Sequence, residues 1–409
     1  MRQGPHPTSL SKMDGLRGIA AIIVVFSHAL FWFYPAMHLG ERTKGRPMDG
    51  IDWFNSPFSF FYRGGFSVSM FFILSGLVLT YSVAKHTDVL LAIRKAALKR
   101  YVRLGVPVAA SVLIGCALMK LGMFTAPDVL PVPVLSTPYL FQASWDTAAR
   151  DALYGALALG DSRYNYVLWT IQIELIGSFA IYAGFALFGA NSLMYRTFCL
   201  IAFFILSSSP NKLAMYSSLF FLGSMLMTFN YQVESHEKRR GALCLVGLFM
   251  GIYLAGFHSA SASYSGINGF TRIISEYTGY RPSWLLIMPA LGALLIVVSV
   301  LNAPNTFKVL DSRLMKWLGR TSFSVYLLHT FILVLMGQTF THYLGMTVQA
   351  MLLTLFTTLG ITLVVAHIYY LKIDVTAIAL ANKVSVRLFD KVRPSVPAIP
   401  DDRNVAPGA

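Results

Sequence analysis

The chain has 409 residues, of which 56% are hydrophobic and only 12% charged, and its mean hydropathy is +0.60. These values exclude an ordinary soluble globular protein and predict an all-α polytopic membrane protein in a lipid bilayer. The formal net charge of +15 is explained by membrane topology and by affinity for anionic lipid headgroups, so no nucleic-acid partner is needed. The three cysteines all fall in apolar stretches, which argues against a disulfide framework or a metal site.

Ten apolar stretches are long enough to span a bilayer. In chain order they cover residues 17–34, 66–83, 105–123, 165–188, 195–210, 213–231, 242–258, 284–302, 322–341 and 345–370. With both termini in the cytoplasm, 23 of the 33 Lys and Arg residues lie on the cytoplasmic side, as the positive-inside rule requires. We therefore predict about ten transmembrane helices in one membrane domain, residues 1–371, followed by a basic and partly disordered cytoplasmic tail, residues 372–409.

The first span carries two ionisable side chains on one helix face. Arg17 and His28 are eleven residues apart, which corresponds to about three turns and about 16.5 Å along an α-helix. His28 then falls near the middle of the bilayer, where an ionisable group is costly unless it faces protein or water. Asp14 lies on nearly the same face, where it could orient Arg17. In the structural alternative, Asp14 and Arg17 mark the cytoplasmic edge, and His28 is a core histidine bonded to a neighbouring helix.

The segment after the second span is strongly basic. Lys99 and Arg103 are four residues apart, and Arg100 with Arg103 forms a second pair on an adjoining strip. Guanidinium groups bind phosphate oxygens in a bidentate manner, so this helix face suits a phosphorylated ligand. Positive-inside topology alone would also place basic residues here, so a purely topological role stays open.

Several later residues are further candidates for a cavity inside the bundle. Glu174 is the only acidic residue predicted inside a span, so it must be paired, protonated or exposed to water. Trp169 either shapes a pocket or anchors its helix at the interface. Tyr326 and His329 share one face of the ninth span. Ser75, in a Leu-Ser-Gly sequence, favours close helix packing over a nucleophilic role, because no nucleophile-elbow motif accompanies it.

Five segments of the chain resemble, in order, the motifs of a known family. They are DGLRGIAAIIVVFSHA at 14–29, GGFSVSMFFILSGLVLT at 64–80, KRYVRLGVP at 99–107, LWTIQIELIGSF at 168–179 and SFSVYLLH at 322–329. Together they are similar to the integral-membrane acyltransferase-3 family, with the fourth segment closest to its fungal-like branch, and without a C-terminal hydrolase domain. The chain departs from the common bacterial pattern at Ser69, where an Asp usually precedes two Phe, and at Leu175, where a second acidic residue usually follows the Glu.

This resemblance implies a membrane O-acyltransferase that moves an acyl group, commonly acetyl from acetyl-CoA, to a hydroxyl of a small metabolite or a carbohydrate. It implies that Arg17 and His28 are catalytic and that Arg100 and Arg103 are needed for activity. On chemical grounds, His28 would act as a general base or as an acyl relay, and Arg17 would donate to the oxyanion. We expect acyl-CoA as a co-substrate, no tightly bound cofactor, and a location in an endomembrane or the plasma membrane.

A proton-coupled transporter is the main alternative from another class. In that reading, His28, Glu174 and His329 form an intramembrane proton relay. Two observations argue against it, namely the lack of a clear inverted repeat and the five ordered segments. Dependence of the activity on an acyl donor would distinguish the two functions.

Overall fold

The computed structural model describes the backbone of residues 7–41, 50–124, 139–229, 231 and 237–389, and the side chains of all of these except 7–9 and 237–239. Within this part of the chain there are helices and turns but no β-strand. The α-helices are α1 (Pro7–Phe33), α2 (Ala36–Leu39), α3 (Ile51–Phe54), α4 (Gly64–Ala84), α5 (Val89–Lys120), α6 (Trp145–Arg150), α7 (Trp169–Phe188), α8 (Ser192–Ser207), α9 (Lys212–Met225), α10 (Glu237–Ala255), α11 (Ser265–Thr278), α12 (Trp284–Asn302), α13 (Arg313–Leu344), α14 (Val348–Tyr369) and α15 (Val375–Phe389). Two π-helical segments, Asp151–Leu159 and Tyr370–Asp374, precede α7 and α15.

Seven helical segments are long and apolar enough to cross a membrane by length and composition. They contain α1, α4, α5, α7, α12, α13 and α14, the last continuing into α15. The other three predicted spans coincide with α8, α9 and α10, which have 16, 14 and 19 residues. Because 14 residues rise only about 21 Å, α9 is shorter than a hydrocarbon core of about 30 Å. The all-α polytopic class is confirmed, while the count of ten spans stays a prediction.

Helix α1 lies at the centre of the bundle and packs most extensively against α13. A Cβ atom on Gly319 of α13 would overlap the backbone oxygen of Asp14, so this approach requires glycine. The same holds where α4 crosses α9, because a Cβ atom on Gly76 would overlap the backbone oxygen of Phe220. Gly76 therefore has the packing role predicted for the Leu-Ser-Gly sequence. The close contact of α1 with α13 brings the chemically active faces of these two helices together.

Helical structure continues beyond residue 371, the predicted end of the membrane domain. After α14, the π-helical segment leads directly into α15, which packs against α5 and buries Ala377, Ala381 and Ser385. Asp374 in the π-helical segment is also buried, and it accepts a 2.6 Å hydrogen bond from Ser324. The remainder of the predicted tail, residues 390–409, lies outside the described residues. The domain boundary at residue 371 stays a prediction.

Candidate functional site

A first cavity, of about 110 Å³, lies among α1, α4, α5, α7 and α13, toward the N-terminal half of α1. We call it the arginine cavity, because its polar wall combines three guanidinium groups with one carboxylate and several hydroxyls. These groups belong to Arg17, Arg100, Arg103, Glu174, Ser75, Thr170, Ser322 and Tyr326. The structure therefore brings together six of the residues that the sequence singled out, and these residues lie on five different helices.

Arg100 is neutralised within the arginine cavity, and two other guanidinium groups are not. Arg100 forms a salt bridge with Glu174, and its Nε donates a 2.9 Å hydrogen bond to Ser178. Oε1 of Glu174 also accepts a 2.7 Å hydrogen bond from the Ser75 hydroxyl. Among the described residues, Arg17 and Arg103 have neither a hydrogen-bond partner nor an ion-pair partner. The cavity therefore offers two guanidinium groups whose donors are not engaged by a described residue, which suits an anion with several oxygens.

Two residues predicted for this site lie outside the cavity wall. Lys99 is half-buried on α5 but does not line the cavity, although it neighbours Arg100 in the chain. Asp14 lines neither cavity, and within the described residues no hydrogen bond or salt bridge joins it to Arg17. Its backbone is instead part of the tight contact between α1 and α13. The four-residue spacing along α5 therefore does not bring Lys99 and Arg103 to the same cavity, and their roles in donor binding stay predictions.

A second cavity, of about 350 Å³, lies toward the C-terminal half of α1. We call it the histidine cavity, because its wall combines three imidazoles and one guanidinium group with aromatic rings. These side chains are His28, His38, His258, Arg63, Phe31, Tyr166, Trp169, Tyr216, Phe257 and Tyr326. No carboxylate of the described residues lines it. Trp169 thus lies in a cavity wall, as one of its two sequence interpretations required.

His28 and His329 form a pair whose proton positions follow from their partners. Nδ1 of the fully buried His329 lies 3.1 Å and 2.9 Å from the carbonyl oxygens of Val325 and Tyr326. It must carry the hydrogen, because a carbonyl oxygen only accepts. Nε2 of a neutral His329 is then an acceptor, and it lies 2.9 Å from Nδ1 of His28. His28 therefore donates through Nδ1, and its Nε2 keeps a free lone pair in the neutral ring.

The two cavities share part of their wall. Val68 of α4 and Tyr326 of α13 line both. The Tyr326 hydroxyl donates a 2.8 Å hydrogen bond to the carbonyl oxygen of Val167, and it lies 2.8 Å from the hydroxyl of Thr170. These two contacts fix the Tyr326 ring in the shared wall.

Arg17 and His28 share a helix face but lie in different cavities. Their separation along α1, about 16.5 Å, is too long for both side chains to contact one carbonyl group. This placement favours anion binding over oxyanion stabilisation for Arg17. Glu174 is likewise confined to the arginine cavity and contacts neither His28 nor His329 within the described residues. A relay through all three groups, as the transporter alternative requires, is therefore not continuous in this structure.

Four polar residues of the histidine cavity were not predicted: Arg63, His38, His258 and Tyr166. Burial, followed by the positive charge of Arg63, lowers the pKa of His38 to about 3 and the pKa of His258 to about 4. Both imidazoles are therefore neutral near pH 7, and Arg63 supplies the positive charge. Only their convergence in space marks these residues, because they come from distant parts of the chain with no common sequence spacing.

Known proteins share sequence similarity with most of this chain. The model of an acyltransferase domain family, of the acyltransferase-3 type, matches residues 10–369, a range that includes every residue lining either cavity. The chain is 23% identical over 378 residues to O-acetyltransferase PaAT-1 of Phomopsis amygdali, which covers 81% of this chain and 73% of that protein. It is 22% identical over 406 residues to acyltransferase R4 of a Phoma species, which covers 81% of this chain and 84% of that protein. No solved structure matches the chain.

Proposed function

This chain belongs to the acyltransferase-3 family, and on that premise we propose that it transfers an acyl group, most simply acetyl, from acyl-CoA to a hydroxyl of a small metabolite or a carbohydrate. One observation carries the proposal. A cavity with free guanidinium groups and a cavity with an imidazole lone pair meet at a common wall formed by Val68 and Tyr326. A phosphorylated donor and a hydroxyl acceptor need separate sites that meet at the reacting atoms.

The arginine cavity suits the donor. Coenzyme A carries a pyrophosphate and a ribose phosphate, and no described residue forms a hydrogen bond or ion pair with Arg17 or Arg103 that would compete for these groups. Arg100 is held by Glu174, so it shapes the site and contributes less net charge. With both chain termini in the cytoplasm, this cavity opens to the side that supplies acyl-CoA. The pantetheine arm would then run along α1 past Val68 to bring the thioester to His28.

The histidine cavity supplies the base. Nε2 of His28 takes the proton of the acceptor hydroxyl while the hydroxyl oxygen attacks the thioester carbonyl carbon. The carbon–sulfur bond then breaks, and the coenzyme A thiolate receives the proton from the His28 imidazolium. Hydrogen bonding to His329 orients the ring and stabilises its protonated form during the reaction. No external oxidant or metal is needed for this balance of atoms and electrons.

The same lone pair also permits an acyl-His28 relay. In this variant Nε2 attacks the thioester itself, the thiolate leaves, and the acceptor hydroxyl later displaces the imidazole. Rapid quenching after mixing with radiolabelled acetyl-CoA alone distinguishes the two routes. Label on His28 supports the relay, and its absence together with product formation in the presence of acceptor supports direct transfer.

The function is tested by acceptor-dependent release of coenzyme A from acetyl-CoA by purified protein in detergent, with an extract as the source of acceptors. We expect product with the wild type and with His86→Ala, since His86 is exposed between α4 and α5. We expect a loss of about 100-fold or more with His28→Ala, as for removal of a general base. Equal rates for all three proteins would refute the role of His28. Uptake into proteoliposomes without consumption of any acyl donor would refute acyl transfer.

A further inference from the structure

Among the described residues, Arg63 is a buried cation without an anionic partner. It precedes α4 at the N-cap position, and only 9% of its surface is exposed. Its Nη1 donates a 3.2 Å hydrogen bond to the carbonyl oxygen of His38. Its Nε and Nη2 are buried and have no hydrogen-bond partner. The nearest compensation is aromatic, because the guanidinium carbon lies 5.4 Å from the ring centre of Phe54 and 5.5 Å from that of Tyr62.

The surroundings of Arg63 leave its charge unbalanced. Charged groups are rarely buried unless they are paired, because an uncompensated buried charge costs several kcal/mol. Within the described residues, no carboxylate lines the histidine cavity. The neighbouring His38 and His258 are neutral near pH 7, as their low pKa values indicate. Nδ1 of His38 is also buried without a partner. Several unsatisfied polar atoms in one cavity wall indicate a missing polar ligand.

The geometry of the free donors identifies the class of ligand. Nε and Nη2 form one edge of the guanidinium plane, and two N–H groups in that arrangement match the two oxygens of a carboxylate. The rest of the wall is aromatic, with Phe31, Tyr166 and Trp169 among its members. A volume of about 350 Å³ suits a small organic molecule and not a long glycan.

We propose that the acceptor is a hydroxy acid with an apolar body, whose carboxylate binds Arg63 while its hydroxyl reaches Nε2 of His28. This inference rests on the proposed acyl transfer and narrows its substrate class. Arg63 is then a specificity residue, because it selects the acceptor by charge and takes no part in the proton transfer. A neutral alcohol of the same shape would leave the Nε and Nη2 donors of Arg63 unpaired and would bind more weakly.

The test compares two probes that differ only in charge, para-(hydroxymethyl)benzoate and para-(hydroxymethyl)benzamide. Their binding to purified full-length protein is measured by calorimetry in neutral detergent without added lipid, so that no anionic headgroup supplies the partner. We expect the wild type to bind the acid at least about tenfold more tightly than the amide, since a charge-assisted bidentate contact is lost with the amide. Arg63→Gln should abolish this preference, and Arg63→Lys should keep part of it. Arg272→Gln serves as the matched control, because the Arg272 side chain is 77% exposed on α11.

Thermal unfolding of the same variants without probe separates binding from folding. Arg63→Gln removes an unpaired buried charge, so the melting temperature should stay level or rise. A wild type without preference for the acid, or a preference retained in Arg63→Gln, would overturn the inference. A lower melting temperature in Arg63→Gln together with a retained acid preference in the same variant would assign Arg63 a structural role.

The inference and the proposed function can fail separately. Binding of the probes needs no acyl donor, so carboxylate binding through Arg63 in a protein that never consumes acyl-CoA refutes only acyl transfer. Acylation of the amide at the same rate and affinity as the acid refutes only the hydroxy-acid acceptor.

Discussion

Replacing His329 by alanine should impair catalysis without a direct effect on the donor site. His329 offers its Nε2 lone pair to Nδ1 of His28, and this contact selects the tautomer in which Nε2 of His28 is free. Loss of one buried hydrogen-bond partner costs about 1–3 kcal/mol. At 1.36 kcal/mol for each factor of ten, we expect kcat to fall about 5- to 150-fold. The KM for acyl-CoA should change little, because the donor phosphates bind in the other cavity.

The assay is steady-state coenzyme A release with a fixed acceptor, at varied acyl-CoA concentrations. His329→Gln is the matched variant, because its side-chain oxygen can accept the hydrogen bond from His28 and should restore part of kcat. The double variant with His28→Ala should be no slower than His28→Ala alone, since residues that act as a unit are not additive. An undiminished kcat in His329→Ala, or a further loss on adding this change to His28→Ala, would refute the reasoning.

Three further outcomes follow from the charges in and around the two cavities. Arg103→Met should raise the KM for acyl-CoA about tenfold or more with kcat nearly unchanged. Lys99→Met is the control and should have no such effect, since Lys99 does not line the cavity. Equal effects in both variants would show that the positive charge of the helix, and not a contact in the cavity, determines the KM. Glu174→Gln and Arg100→Met should each destabilise the protein by about 3 kcal/mol, because the two side chains are only 15% and 11% exposed. A double-mutant cycle measured by thermal unfolding should show strong coupling between the two changes. Additive effects would contradict the pairing. Folded His38 has a pKa of about 3, so below about pH 6.5 this histidine takes up a proton in the unfolded chain but not in the folded protein. Stability should therefore fall as the pH is lowered through this window, and the melting temperature of His38→Asn should depend less on pH. An identical slope of melting temperature against pH in both proteins would refute the assignment.

The sequence predicted what depends on local spacing. The eleven-residue interval between Arg17 and His28 sets their common face on α1, and hydropathy locates each apolar helix. The division of these two residues between separate cavities could not be predicted in the same way. It depends on where Val68 and Tyr326 close the space between helices that are far apart in the chain.

The pairing of polar groups also depended on tertiary packing. The position of Glu174 in a span required that it be paired, protonated or exposed to water, and the crossing of α5 and α7 pairs it with Arg100. His329 was predicted only as a second ionisable group, and the tight α1–α13 contact brings it to His28. Arg63 precedes α4 and His258 follows the end of α10, so no helical period links them to the buried residues they join.

The apolar boundary between the cavities has a chemical reason in the proposed reaction. Along α1, Ala21 and Val24 occupy the face between Arg17 and His28, and both are buried. Val24 lines the histidine cavity and Val68 lines both cavities, so an apolar surface lies between the charged pocket and the base that would activate the acceptor. A thioester held against such a surface is protected from hydrolysis until the acceptor hydroxyl is in place. The guanidinium groups therefore belong at one end of this face and the imidazole at the other.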